Sequence, residues 1–454
     1  MKTKTKSSER HEAAYVQPGY WSCAAVVLVI AAVSGCSVTG IETAQLSLRT
    51  SAPKAHCVNV PVHTTIELPE QFTQVPLEEI SVILKEQGKT GAGVPGQIVP
   101  DRNGKAQLWW VLPQTKAGST GNWVATLKHR AKARKGVFSW KDTPADYLDL
   151  VFDGRKVIRY MYARDTSTPE RAFETSKPFH HIFDAQGEKL LTNGDPNALY
   201  PHHRGLFIGW SRMEFGGKEY DFWGMSGGKT AQVHQKFLEE TAGPVLARSS
   251  SLVHWNSEND GTVISEQRQI TVFRQPDPTI VLLEFNIRLK AVNGDVVLVA
   301  NKGEDAHKAP EHGGFHFRPH NDAARGSRRS ATYTDKLAEK DKVTYLFHED
   351  GIDPQRDTDL VWVAMSYGLN GRYYSVQHIN HPDNPSPTVY SAYRDYGRFG
   401  AYFKRKINAS QTLTLRYYIW VVESKMPTRK ELAGRYSALI NVPSVEVFGA
   451  EQKQ

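Results

Sequence analysis

Between residues 279 and 289 the chain alternates strictly: Val281, Leu283, Phe285, Ile287 and Leu289 share one parity, while Glu284, Asn286 and Arg288 are among those on the other. A period of two is the mark of a β-strand with one face in a core, because successive side chains point to opposite sides of a sheet. Residues 413–421 repeat the pattern. Tyr147–Phe152 and residues 156–160 flank Asp153-Gly154-Arg155, a turn signal that predicts a hairpin. Only one stretch reads as helix: Thr428-Arg429-Lys430-Glu431 is a capping box after Pro427, so residues 432–440 are expected to be helical. Many strands and few helices predict an all-β protein built on a large antiparallel β-sandwich.

Ahead of it, residues 58–68, 79–84 and 108–112 read as short strands and residues 91–96 as a glycine-rich turn region, which predicts a small β-barrel or sandwich over residues 37–130. The basic segment 128–135 is the best linker, the sandwich spans residues 145–425, and residues 426–454 form a C-terminal helix and tail. Ten tryptophans and nineteen tyrosines suit a β-rich protein and supply flat surfaces for sugars.

The amino terminus carries Lys2, Lys4, Lys6 and Arg10, then an uncharged apolar run over residues 21–33 that ends in Val33-Ser34-Gly35-Cys36. That order predicts an export signal. It resembles the lipobox of bacterial lipoproteins, which implies removal of residues 1–35, a lipid on the Cys36 sulfur, and an extracytoplasmic place in the cell envelope, periplasmic or at the cell surface. An uncleaved anchor helix is the alternative, against which stands a run shorter than the roughly 20 residues of a span. Losing residues 1–35 removes four basic and two acidic side chains and takes the formal charge from +8 to +6. The excess is spread along the chain without a dense Lys/Arg run, so a nucleic-acid partner is excluded while an acidic glycan is not. Besides Cys36 only Cys57 would remain, too few for a disulfide framework or a cysteine metal site.

Polar chemistry concentrates in three places. Pro201-His202-His203-Arg204-Gly205 stands just before the apolar run Leu206–Trp210 and is followed by Asp221-Phe222-Trp223. Residues 311–320 hold Glu311, His312, His316, Arg318 and His320; residues 377–382 hold His378 and His381. These three stretches are expected to converge. On a strand, adjacent histidines point to opposite faces, so only one of His202 and His203 should enter a pocket. On a regular strand His316, Arg318 and His320 share a face; a bulge at Gly313-Gly314 would instead re-aim Glu311 and His312. Glu266 and Arg268 share a parity, so they could face the cleft together; a salt-bridged pair across the sheet is the favoured alternative. Trp223 is a candidate stacking platform and Tyr396 a candidate acid. A divalent metal is compatible with these imidazoles and carboxylates, although no tight ligand spacing such as His-Glu-x-x-His occurs; no metal ligand is assigned and no organic cofactor is indicated.

The ordered motifs Pro201-His202-His203-Arg204-Gly205, Asp221-Phe222-Trp223, residues 311–318, His381-Pro382-Asp383-Asn384-Pro385 and residues 393–400 together resemble the PmoA-like family, over about residues 145–425. The resemblance implies a galactose-mutarotase-like β-sandwich associated with sugar degradation. The first module is similar to the small β-domain that precedes some polysaccharide-lyase-like proteins.

Three functions follow as expectations. The first is proton-transfer chemistry on a sugar or uronic acid, as an epimerase, lyase or hydrolase. His203 or His316 is then the acid or base, Glu311 the orienting or second acid/base group, and Arg204 and Arg318 the anion stabilisers. His202, Asp221, Trp223, His378, His381, Arg394, Tyr396 and Arg398 would bind the substrate. The second is a non-catalytic glycan-binding surface lipoprotein; the third and least favoured is a metal-dependent oxygenase.

Overall fold

The computed structural model describes residues 43–101, 103–129, 136–198, 200–299, 312–323 and 343–452. Glu311, residues 1–36 with the expected signal and lipidation site, and most of the expected basic linker lie outside the described residues.

The protein is nearly all β, and every named strand pairing is antiparallel. Two eight-stranded sheets form the sandwich. One runs in the order Thr388–Tyr390, Phe399–Phe403, Gly313–Phe317, Leu206–Trp210, Phe179–Ile182, Arg155–Met161, Tyr147–Phe152, Phe138–Thr143; we call it the histidine sheet. The other, the long-strand sheet, runs Thr230–Ala242, Leu246–Ser257, Gly261–Phe273, Thr279–Ala291, Thr412–Val422, Arg372–Asn380, Trp362–Leu369, Thr344–Phe347. Val281, Leu283, Phe285, Ile287 and Leu289 enter the core between them and meet Leu206, Ile208, Phe315 and Phe317 from the opposite sheet. At about 25 cal/mol per Å² of apolar surface buried, that core is the main source of stability.

The hairpin forms where its turn signal lies, between Tyr147–Phe152 and Arg155–Met161, with Asp153 (φ 48°) and Gly154 (φ 87°) both left-handed as a two-residue primed turn needs. The capping box holds too: the Thr428 side chain accepts from the Glu431 backbone, Glu431 answers the Thr428 backbone, and the helix spans Arg429–Ile440. A second helix, Pro169–Glu174, was not expected. Thr168 caps it and Pro169 opens it, but at six residues it is too short to show a helical stripe.

Residues 43–129 build a seven-stranded sheet whose last strand, Ser444–Gln452, comes from the far end of the chain and pairs with Thr43–Ser51. The C-terminal tail is therefore a strand that shields an edge. The glycine-rich region is only partly a turn: Gly96 lies inside Val94–Pro100, where a Cβ would come within 2.7 Å of Leu84 Cδ1. One face of this N-terminal sheet buries Leu48, Val62, Val82, Leu108 and Trp110. The other sends Val99 and Trp109 onto Leu282, Phe273 and Trp420 of the long-strand sheet. The polar parity of Thr279–Ala291 thus faces a seam between two sheets.

A cationic cluster around Trp223

The site is built on the outer face of the histidine sheet. In Leu206–Trp210, Leu206, Ile208 and Trp210 point into the sandwich core and Phe207 points out. Gly209 also faces out, and the Phe222 carbonyl passes so close that a Cβ there would sit 2.1 Å from its oxygen. With no side chain in the way, the Asp221-Phe222-Trp223 turn lies flat on the strand, and Phe222 N–H donates to the Trp210 carbonyl at 2.8 Å. Asp221 fixes the turn: its carboxylate accepts from the backbone N–H groups of Trp223 and Gly224 at 2.8 Å each and of Met225 at 3.2 Å. Asp221 is a turn clamp, and its oxygens are committed to backbone.

Trp223 is thereby buried, with 2% of its surface exposed, against Phe207 at 4.8 Å between ring centroids. Rings of His203, His312 and His316 meet it edge-on at 5.5, 5.7 and 4.7 Å. An indole so enclosed organises other side chains and offers a sugar no free face. Its N–H donates to His203 Nε2 at 3.1 Å. Because an indole nitrogen can only donate, His203 carries its proton on Nδ1, which has no hydrogen-bond partner among the described residues. His316 is the reverse tautomer. Its Nε2–H donates to the Gly313 carbonyl at 2.7 Å, while Nδ1 faces Arg398 Nη1 at 3.4 Å.

His202 and His203 do not diverge as adjacent strand residues would. They precede the strand, in a turn closed by His203 N–H donating to the Tyr200 carbonyl at 2.9 Å, and their rings stand 4.2 Å apart. Gly313–Phe317 pairs with Leu206–Trp210 without a register shift, so no bulge forms; Phe315 and Phe317 face the core and His316 faces out beside Phe207. Asn193 joins the pieces: it donates to the His203 carbonyl at 2.7 Å, its own carbonyl receives Gly205 N–H, and its N–H reaches the Arg318 carbonyl.

Four cations surround these imidazoles. Arg398 lies over the Trp223 ring at 5.2 Å. Arg318 donates to the Tyr396 carbonyl at 2.6 Å and lies over that ring, while the Tyr396 ring stacks on His203 at 6.4 Å. Arg204 bonds the Pro201 and Phe173 carbonyls, which ties the turn to helix Pro169–Glu174. Lys177 is the residue that sequence reasoning missed. It is 2% exposed, donates to the Trp223 carbonyl and lies 4.7 Å from the Phe207 ring centroid. No pattern marks a lone lysine between Ser176 and Pro178, and only the packing buries it.

Burial among like charges sets the protonation. Desolvation first, then nearby cations, hold His203 and His316 far below the ordinary imidazole value. The same causes bring His202 down to about 3 and His312 to about 4, with Lys177, His312, Arg398 and Arg204 acting on His202. Lys177 falls to about 7, first through burial and then through Arg204. The cluster at neutral pH is a set of uncharged imidazoles among arginine cations, with Lys177 near its titration midpoint.

The third stretch does not join it. His378, on strand Arg372–Asn380 of the long-strand sheet, points into the core toward the histidine sheet, where Nε2 donates to the Phe315 carbonyl at 3.3 Å and Nδ1 takes the Tyr390 hydroxyl at 3.2 Å. His381 stands in a loop beside Asp383 and the Thr412–Val422 strand. Arg394 bonds the Tyr393 hydroxyl at 3.2 Å and lies within electrostatic reach of Tyr396 and Arg398. Glu266 and Arg268 pair with each other along the one strand Gly261–Phe273, not across strands, at 2.6 Å inside the sandwich, with Trp255 donating to Glu266 at 2.7 Å. Among the described residues no group of three His, Cys, Asp or Glu side chains is arranged to hold a metal ion.

No curated protein matches the chain. The resemblance to the PmoA-like family is overturned, because the family that the chain matches is a different one and nothing points to PmoA-like proteins. A few short runs of turn and strand residues do not by themselves select a family. Across residues 147–437, more than half of its length, the chain matches the family of unknown function DUF6807, and it belongs to that family.

Proposed function

We propose that the cluster around Trp223 binds the carboxylate of an acidic carbohydrate and moves a proton on the bound sugar, as a lyase or epimerase does. The observation that carries this reading is the convergence of Lys177, Arg204, Arg318 and Arg398 on imidazoles that are kept uncharged. Abstraction of a proton beside a carboxylate needs a neutral base and fixed cations for the negative charge that develops. His202 is the best base. It is half-buried, and neither ring nitrogen has a hydrogen bond among the described residues, whereas His203 and His316 are tied to Trp223 and Gly313. An arriving carboxylate would offset the cationic repulsion that depresses His202, so the base strengthens when substrate binds. Glycoside hydrolysis fits less well, because the Asp221 carboxylate is committed to backbone N–H groups.

The test is incubation of the full chain with oligogalacturonate, oligoalginate and oligoglucuronate in deuterated water, following ring-proton exchange and unsaturated product by NMR. Exchange or elimination with one of them is expected. His202→Ala should abolish it while leaving affinity within about tenfold, and Arg398→Ala should cut affinity. Failure of every acidic sugar to bind would sink the reading. Binding without exchange would favour the second reading, a non-catalytic glycan receptor, which is supported by the internal hydrogen bonds of His203 and His316.

Residues 1–36 extend the proposal to location: an exported lipoprotein anchored through Cys36 in the cell envelope. Mass spectrometry of the mature amino terminus should find acylated Cys36, and Cys36→Ala should release the protein from membranes; an unmodified, uncleaved terminus would refute it.

A further inference from the structure

A second site lies on the opposite face of the sandwich. In the long-strand sheet, register aligns two rows of side chains on the face that looks toward the N-terminal sheet. One row is Glu239, Ser250, Gln269, Asn286 and Arg416; the next is Thr241, Arg248, Thr271, Glu284 and Tyr418. The row after that, from Leu246 through Phe273 and Leu282 to Trp420, is apolar and packs on the N-terminal sheet. The seam is therefore closed at its apolar end and open over the polar rows, where it encloses a cavity of about 520 Å³. The far wall is Trp109, with His63 stacked on it at 4.1 Å.

Two features make this more than a solvated face. The contacts within the rows are long. Glu284 Oε1 takes three such contacts, from Arg416 Nε at 3.2 Å, the Tyr418 hydroxyl at 3.4 Å and Asn286 Nδ2 at 3.5 Å, and Arg248 stands 3.6 Å from Glu239. Charge-assisted bonds close to about 2.7–2.9 Å when geometry is unconstrained, so the donors Arg416, Tyr418 and Asn286 retain capacity for a ligand. In addition Arg248, in the lining, has a buried Nε without a hydrogen-bond partner among the described residues. The described charges in the lining nearly balance, with Asp101, Glu239 and Glu284 against Arg248 and Arg416. A charged ligand gains little there. Planar carboxylate, amide and guanidinium groups instead bond in pairs to adjacent hydroxyls, each both donor and acceptor.

We infer that this interdomain cleft binds an uncharged stretch of oligosaccharide, independently of the cationic cluster on the other face. The experiment is calorimetric titration of the full chain with cellotetraose, mannotetraose, xylotetraose and maltotetraose. At least one should bind, Asn286→Ala and Glu284→Gln should each weaken it about tenfold or more, and Lys177→Met should leave the binding of these neutral probes unchanged. Gln269→Ala guards against misfolding, since Gln269 makes no side-chain hydrogen bond among the described residues; it too should weaken binding while the thermal transition stays in place. No binding of any of the four, or unaltered binding by folded Gln269→Ala and Asn286→Ala proteins, would overturn the inference.

Discussion

Lys177 shows how much a single side chain can be worth to a site and cost the fold. Its ammonium loses most of its hydration and keeps the Trp223 carbonyl and the Phe207 face in return, and its pKa falls to about 7 from an ordinary 10.5. A basic group with a lowered folded-state pKa is most costly when the unfolded chain would be protonated, so stability rises with pH between about 7 and 10.5. Lys177→Met is therefore expected to stabilise the protein by roughly 1–3 kcal/mol at pH 7, an advantage that should vanish near pH 10.5. Urea unfolding of both proteins at the two pH values checks this, and a destabilised methionine variant at pH 7 would contradict it. The histidines were legible in the sequence because each is a conspicuous residue type. Lys177 was not, because a lysine is read as solvated until neighbouring strands are seen to cover it.

At the scale of elements, the Asp221-Phe222-Trp223 turn and the strand Leu206–Trp210 work as one unit. The strand was visible in its apolar run and Asp221 was picked out for its charge, yet Asp221 serves the turn through three backbone N–H groups. Gly209 is what lets the turn lie on the strand. Gly209→Ala should force backbone apart at the Phe222 carbonyl and cost about 3 kcal/mol, with loss of ligand binding at the Trp223 cluster. A thermal transition within a degree or two of the parent would show that the turn can shift without penalty. The parity argument that separated His202 from His203 failed for a related reason: parity applies inside strands, and these two residues lie in the turn before one.

For the whole molecule the protonation of buried imidazoles matters most. His180, His181, His203, His316 and His378 are all buried, and desolvation lowers every one, His181 and His378 to about 3. A lowered imidazole pKa means the unfolded chain binds protons first as pH falls. The stability is thus complete above about pH 6.5 and lost progressively toward pH 3. Each such histidine should cost about 2 kcal/mol at pH 5 relative to pH 8, so the urea midpoint is expected to hold steady above pH 7 and fall steeply below 6. A flat profile down to pH 5 would mean these imidazoles are solvated.

The sequence by itself determined the strands, the hairpin, the capped helix and hence the all-β class, because alternation and turn chemistry act between neighbours along the chain. It also singled out most of the polar residues now found around Trp223. Only the tertiary structure decided that His378 belongs to the core while His316 faces out, that Ser444–Gln452 returns to the first sheet, and that the polar face of Thr279–Ala291 closes a cleft. Those outcomes depend on which sheet covers which face, and burial, tautomer and pKa follow from contacts between residues far apart in the chain.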